Sequence, residues 1–521
     1  MTLQTFLTLT PARWRVLLTL IVLLTLGRIA TTHRVFSQTF DEPYHLISGY
    51  DVLTKGSYTA DPQHPPLARV LFALPFLDAP DPAGSDALTR GNELLLRNER
   101  YTQNVARARL GNLPFVALGI VIVALWGRRV LGPGAGLLAA LLFASLPPVL
   151  AHGGLATTDM SIAATLPLAL LALDLLLERP TWRNALWLGL AIAAGLLSKY
   201  SFLIYFPACA AVLFAVRRRF PLLRLITATA IAALLTWAAY SFTFDTMQHV
   251  DARAREMAKE VTGSEWIADV PLPAPVFFSG ALEVKRHDLR GHKGYLFGEF
   301  SETGWWYYFP VAIFFKTPIA FLLLALIGVA LLARRTPEVA LIALAILLVA
   351  MTSRINIGVR HVLPIYAPLS IAAAAVVVTL QRLRWMSVAL VAWLVAGIGL
   401  AHPDYLPWMN AFAGEHPEHV LNDSNFDWGE DALRLVRVAR KEQIPHITTS
   451  ILGTTPLDHI GLPPRTELQA MQPAHGWVAI SEMHLALGRS ISPEVARWLD
   501  QLFAGRPYRR VGKTIRLYKL P

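Results

Sequence analysis

Two adjacent carboxylates, Asp41 and Glu42, stand just beyond the first long apolar run of this chain. They open a series. Asp159, Lys199, Lys316, Arg354, Arg360 and His361 lie at the ends of later apolar runs, and His64 and Arg69 flank or enter a short amphipathic stretch. A carboxylate can take a proton from an attacking group, and fixed cations can meet negative charge as it develops on a leaving group. Acids and cations gathered this way suit acid–base chemistry on an anionic substrate. Each residue also has a structural reading. Pro43, which lacks an N–H, suits a first helical position, so Asp41 and Glu42 would sit at a helix N-terminus, where carboxylates are favoured in any case. Asp159 follows two threonines and precedes an apolar run, which equally suits a helix cap. Lys316 suits an anchor at a membrane surface. His64 could cap its helix, and Glu42 could orient an acceptor or only cap.

The elements that must position these groups are membrane spans. Of 521 residues, 54% are hydrophobic and 16% charged, with a mean hydropathy of +0.44, too apolar for a soluble enzyme. At roughly 20 apolar residues per span, the runs predict spans near 13–31, 107–126, 133–152, 160–177, 184–198, 201–216, 221–243, 317–333, 338–352, 362–380 and 385–401, about eleven in all. Cytoplasmic connectors are enriched in Lys and Arg. A cytoplasmic N-terminus puts Arg13/Arg15, Arg128/Arg129, Arg179/Arg183, Arg217 to Arg219, Arg334/Arg335 and Arg382/Arg384 on the inner side. Segments 32–106, 244–306 and the tail then lie outside, and so do the acids and cations above. Ionisable groups are costly inside a bilayer; Asp174, the main one within a span, lies near a cytoplasmic end. One-sided clustering argues for chemistry at the outer surface and against a path across the membrane.

The net charge of +11 comes largely from these connectors, so it reports membrane orientation, with no basic and aromatic groove for nucleic acid. The single Cys209 excludes an internal disulfide. The first apolar run is too long for a signal peptide and reads as a retained anchor. In the first outer segment, Asp61-Pro-Gln-His-Pro-Pro66 is a turn before a helix whose Leu67, Val70, Leu71 and Leu74 form an apolar stripe, with Arg69 off it. This predicts an interfacial helix. Pro147-Pro148 and Pro207 interrupt spans. Residues 1–401 form the membrane domain. Residues 402–521 read as a small extracytoplasmic α/β domain, with a helix at 431–441, strands at 447–452 and 477–481, a helix at 493–503 and a closing strand at 511–520. The fold class is mainly α, a polytopic helical membrane protein with a small C-terminal α/β domain.

Taken in order, several motifs resemble the protein O-mannosyltransferases and the bacterial aminoarabinose-lipid A transferases of the GT-C glycosyltransferase superfamily. They are Asp41-Glu42, His64-Pro65-Pro66-Leu67, Leu155-Ala-Thr-Thr-Asp159, Leu197-Ser-Lys-Tyr200, Trp306-Tyr-Tyr-Phe-Pro310 with Lys316-Thr-Pro318, and Arg360-His-Val-Leu-Pro364. Asp423-Ser-Asn-Phe-Asp-Trp-Gly429 looks like a motif of bacterial members carrying a soluble tail. The resemblance spans nearly the whole chain. It implies a GT-C type fold in a bacterial inner membrane and a sugar donor carried on a polyprenyl phosphate. An outer-facing acceptor hydroxyl, on a protein, lipid or polysaccharide, would attack the sugar with inversion. It further implies Asp41 as the base, with Glu42 and Asp159 as accompanying acids. His64, Arg69, Lys199, Lys316, Arg360 and His361 become candidates for binding the lipid phosphate or sugar. Where the aminoarabinose transferases have Glu-Lys-Pro-Pro, this chain has Gln63-His64-Pro-Pro, which removes an acidic metal ligand; a divalent metal is not supported by the sequence. The competing readings are a transporter or flippase for lipid-linked sugars, which would need paired halves with broken helices, and an inactive membrane scaffold.

Overall fold

The structure is a computed structural model that describes residues 9–379 and 384–521. Arg382, expected in the last cytoplasmic connector, and residue 380 of the tenth expected span lie outside the described residues. Each expected span falls on a helix or helix pair. The first is α1, Pro11–Ala30, capped by the Thr10 side chain on Arg13 N–H. The first outer segment then supplies α2 (Glu42–Lys55), α3 (Pro66–Ala73), α4 (Ala87–Leu96) and α5 (Tyr101–Leu110). The apolar bundle follows with α6 (Leu113–Leu131), α7 (Pro133–Ala144), α8 (Pro147–Gly153), α9 (Asp159–Glu178), α10 (Trp182–Leu196), α11 (Phe202–Arg217) and α12 (Leu222–Ala239). After α13 (Pro275–Arg290) in the second outer segment come α14 (Tyr308–Lys316), α15 (Ile319–Leu332), α16 (Pro337–Ala350), a 3-10 turn at Val359–Ile365, α17 (Tyr366–Thr379) and α18 (Arg384–Ala401).

Among the described residues four helices are long and apolar enough to cross a bilayer, Tyr101–Leu131, Asp159–Glu178, Leu222–Ala239 and Val359–Thr379, and the bent pair α7–α8 would make a fifth. Length alone therefore does not yield eleven spans; α15 and α16, at 14 residues each, rise only about 21 Å at 1.5 Å per residue. The third expected span is not one rod but two helices bent by 66°, because Pro147 and Pro148 cannot continue the hydrogen-bond ladder of α7. Pro207, by contrast, sits inside α11 without ending it. The expected span at 317–333 begins two residues late. Thr317 is extended, and Pro318 starts the new helix.

The stripe on α3 faces away from the protein. Leu67, Val70 and Leu71 are only partly buried and Leu74 is exposed, whereas Ala68, Arg69, Phe72 and Ala73 face inward. The apolar stripe is left facing outward, and the arginine is on the protein side. Helices α2 and α3 approach closely at Gly49, where a Cβ would fall 1.9 Å from the Arg69 carbonyl oxygen; only glycine fits.

Beyond α18, α19 (Ala432–Lys441), α20 (Glu482–Ile491) and α21 (Pro493–Phe503) accompany a five-stranded sheet. Its strands are β1 (Ile447–Ser450), β2 (Arg465–Glu467), β3 (Gly476–Ser481), β4 (Tyr508–Val511) and β5 (Ile515–Leu520), in the order β2-β1-β3-β5-β4. Pairings with β1 are parallel and the β3-β5-β4 pairings are antiparallel. Alternate side chains divide between faces. Ala479 and Leu517 join Leu435, Val436 and Ala439 of α19 on one, while Val478, Ile480 and Tyr518 join Leu485, Leu499 and Phe503 on the other. Both faces are covered.

The two ends of the chain meet above the bundle. Ser37 N–H donates to the Glu430 carbonyl at 2.9 Å and Phe40 N–H to the Trp428 carbonyl at 3.1 Å. The Gln38 and Asn92 amides both donate to the Thr454 carbonyl at 3.0 Å.

Candidate functional site

Asp41 occupies the N-cap position of α2 but makes no side-chain cap bond. Its carboxylate instead accepts from Arg360 Nη1 at 2.7 Å. Asp159, the first residue of α9, takes Lys199 Nζ on Oδ1 at 2.5 Å, and its Oδ2 lies 3.8 Å from Arg360 Nη1. Four of the groups singled out in the sequence are thus brought into one cluster. The α10–α11 turn supplies the lysine, and the 3-10 turn before α17 supplies the arginine. Asp41 is a quarter exposed while Asp159 and Arg360 are almost enclosed, so Asp41 is the acid that an incoming molecule reaches.

Three buried polar atoms here have no hydrogen-bond partner among the described residues: Asp159 Oδ2, Arg360 Nε and His361 Nε2. Buried polar atoms are nearly always satisfied. Unpaired donor and acceptor atoms thus adjoin the Asp–Arg and Asp–Lys pairs, and a ligand carrying both donors and acceptors could satisfy them.

Glu42 lies elsewhere in function. Its carboxylate accepts from Arg109 Nε and Nη2 at 2.8 Å each, from Ala156 N–H at 2.8 Å and from Thr39 N–H at 2.7 Å. Burial pushes the carboxyl up, but Arg109 and the two backbone donors more than reverse this and hold it below the usual carboxylate range. With its lone pairs occupied and only 4% exposed, Glu42 fastens α2 to α5 and to the α8–α9 turn. These contacts give Glu42 a structural part in joining the helices.

Lys316 is engaged within the protein in the same way. Its ammonium donates to the carbonyls of Leu406, Trp408 and Asn425 at 2.5, 2.6 and 2.7 Å, which uses all three hydrogens. It pins the tail to α14 and has none left for a phosphate. Arg69 is also consumed, by the Asp61 and His64 carbonyls, the Ser48 hydroxyl and the Asp61 carboxylate. His64 shares that carboxylate at 3.3 Å and meets the His45 ring edge-on with centroids 4.7 Å apart.

His45, Asp61 and His64 place one ligand atom each within 4.8 Å of one another, a grouping not read from the sequence. The single carboxylate of the trio already carries the Arg69 guanidinium at 2.5 Å. A dication would add charge to a buried place whose one anion is neutralised, so these residues fit an ion-paired hinge between α2 and α3 better than a metal.

Sequence reasoning missed Trp428 and Asp423. The Trp428 ring lies 4.3 Å from Arg360 Cζ, and Asp423 sits in the same inserted segment, accepting from Ser424 N–H at 2.5 Å. Burial pushes the Asp423 carboxyl up to about 6, with Arg360 pulling part of that back. The Asp423-to-Gly429 run was the available signal; its distance along the chain from the other site residues hid its place.

Comparison with known proteins places these features in context. Residues 102–241, which include Asp159 and Lys199, match the family model described as dolichyl-phosphate-mannose-protein mannosyltransferase. No curated protein sequence matches the chain. Among solved structures, ArnT from Cupriavidus metallidurans bound to undecaprenyl phosphate is similar at 14% identity and TM-score 0.53, over 98% of both chains. Its apo form is similar at 14% identity and 0.51, over 96% of this chain and 97% of that one. The Archaeoglobus fulgidus oligosaccharyltransferase in its apo form aligns at 14% identity and 0.46, over 95% of this chain and 74% of that one. The resemblance read from the motifs extends to the fold, which is that of ArnT.

Proposed function

We propose that the protein is an integral membrane glycosyltransferase that moves a sugar from a polyprenyl-phosphate donor to an acceptor hydroxyl at the outer membrane face. The observation that carries this reading is the Asp41–Arg360–Asp159–Lys199 cluster with its unpartnered buried atoms. The undecaprenyl phosphate bound by ArnT, which shares the fold, supports the donor class. The arginine-rich connectors support a cytoplasmic N-terminus, about eleven spans and an extracytoplasmic tail at residues 402–521 in a bacterial inner membrane.

Chemically, the acceptor oxygen attacks the anomeric carbon and Asp41 takes its proton. The bond from that carbon to the phosphate oxygen breaks, and its electron pair leaves with the polyprenyl phosphate. Arg360 and Lys199 meet the charge that develops there. Attack opposite the departing phosphate inverts the anomeric centre. Asp41 serves as the base because it is the reachable acid, and Asp159 holds Lys199 and Arg360 in place. His361 offers a ring nitrogen to the sugar or phosphate. The transporter reading lacks support, because along α9 no ionisable side chain stands between Asp159 at its start and Asp174 near its other end, whereas a transport path places polar groups near the midplane.

The test is a titration of the purified chain with undecaprenyl phosphate, alongside mass spectrometry of co-purifying lipid. Saturable binding that Arg360→Gln weakens is expected. A chain that neither carries nor binds a polyprenyl phosphate is not this kind of transferase.

A further inference from the structure

The tail enters the site through residues 423–430, and the bonds there are closely specified. The Ser424 hydroxyl donates to the Ile357 carbonyl at 2.6 Å. Asn425 Oδ1 accepts from Val359 N–H at 2.9 Å, and its Nδ2 donates to the Tyr308 hydroxyl at 2.8 Å. These contacts clamp the backbone immediately before Arg360. On the other side, Phe40 N–H holds the Trp428 carbonyl, one residue before Asp41. Trp428 is 3% exposed and fixed from both directions. Its indole covers the Arg360 guanidinium at 4.3 Å and meets the His152 ring at 6.3 Å. The guanidinium carbon therefore sits over an aromatic ring, Nη1 is on Asp41, and Nε has no hydrogen-bond partner among the described residues.

We propose that Trp428 is a positioning residue of the donor site, holding the Arg360 guanidinium with its buried Nε left unpaired for the lipid phosphate, so that the tail completes the site. This rests on the reading of Arg360 as a phosphate ligand. A guanidinium binds phosphate through planar, paired N–H groups, so the orientation of its plane decides whether two bonds or one can form. A ring stacked on the face fixes that plane and occupies none of the N–H groups. Arg360 can then exchange Asp41 for a phosphate oxygen without leaving the indole. That exchange also frees Asp41 to accept the acceptor's proton.

A buried tryptophan could equally serve only as filling between tail and bundle. A double-mutant cycle separates the two roles. Undecaprenyl phosphate is titrated into the purified full chain as wild type, Trp428→Leu, Trp428→Phe, Arg360→Gln and Trp428→Leu with Arg360→Gln. Loss of the aromatic face is expected to weaken binding about 2- to 30-fold, with Trp428→Phe losing less. In the Arg360→Gln background the Trp428→Leu loss should vanish. An equal loss in both backgrounds, an equal loss for Leu and Phe, or wild-type affinity in Trp428→Leu overturns the proposal. If Trp428→Leu cannot be purified folded, the same cycle run with Trp428→Phe decides. A wild-type chain that fails to bind the lipid defeats the donor reading itself, an outcome distinct from wild-type binding that is indifferent to residue 428.

Discussion

Asp41 Oδ2 and Arg360 Nη1 meet at 2.7 Å across 319 positions of sequence, so the acid at the start of α2 is held by the cation of the 3-10 turn before α17. An acid so paired is a poor base until its partner is drawn away. The donor phosphate is the group that would do this.

Asp41→Asn should therefore divide binding from chemistry. Removing a positioned proton acceptor typically costs about 10²–10⁴-fold in rate. Affinity for undecaprenyl phosphate should stay level or rise, since Arg360 no longer has a carboxylate to leave. Turnover with a lipid-linked sugar and a binding titration on the same preparation check both halves. Near-normal turnover would remove Asp41 as base.

Glu42 and Arg109 are expected to matter for folding. Breaking a buried ion pair from one side typically costs about 3–5 kcal/mol. Glu42→Gln and Arg109→Met should each lower thermal stability in detergent sharply, and the double variant should recover part of the loss. Turnover per folded molecule should change far less than in Asp41→Asn. A stable Glu42→Gln chain without activity would return Glu42 to the reaction.

Replacing Lys316 by Met strips three buried carbonyls of their donor. Each unsatisfied acceptor costs about 1–3 kcal/mol. The tail should become open to limited proteolysis near residues 406–425 while the bundle stays intact. Unchanged protease resistance would show that the lysine does not pin the tail.

The tail should also lose stability as pH rises. Burial pushes the Asp427 carboxyl up to about 7, while an unfolded aspartate titrates near 3.9. Between these values the folded tail keeps a proton that the unfolded chain has released, so stability falls with rising pH across the window and levels off above it. Asp423, at about 6, acts in the same direction. Thermal unfolding followed from pH 5 to pH 8 should show a falling midpoint, with a shallower slope in Asp427→Asn. A midpoint that climbs with pH would contradict the protonated state of Asp427.

Hydropathy explains what could be read before any coordinates. Asp41, Asp159, Lys199, Arg360 and His361 each border an apolar run, so membrane geometry alone brings them to one level. Glu42, Arg69 and Lys316 border such runs too, yet their roles depend on partners that local sequence does not display. Arg109 lies 67 positions from Glu42, and the Asn425 carbonyl lies 109 from Lys316. Trp428 was hidden for the same reason: an indole among polar neighbours does not reveal the guanidinium it covers. Helix α20 was missed because it starts directly at the end of β3, where Ser481 caps it on His484 N–H without a turn signal between them. Pro147-Pro148 marked a real break, while Pro207 did not, because neighbouring helices can hold a proline-bearing span together.

The bonds from Ser37 and Phe40 to the Glu430 and Trp428 carbonyls set an order of events during synthesis. The ribosome delivers Asp41 long before Trp428. A nascent chain already threaded into the bilayer thus has its base but not the wall behind Arg360. Under the proposed function the enzyme stays idle until the segment that carries Trp428 has emerged and folded, so a chain stopped short of it would not hydrolyse or misdirect the cell's supply of activated lipid.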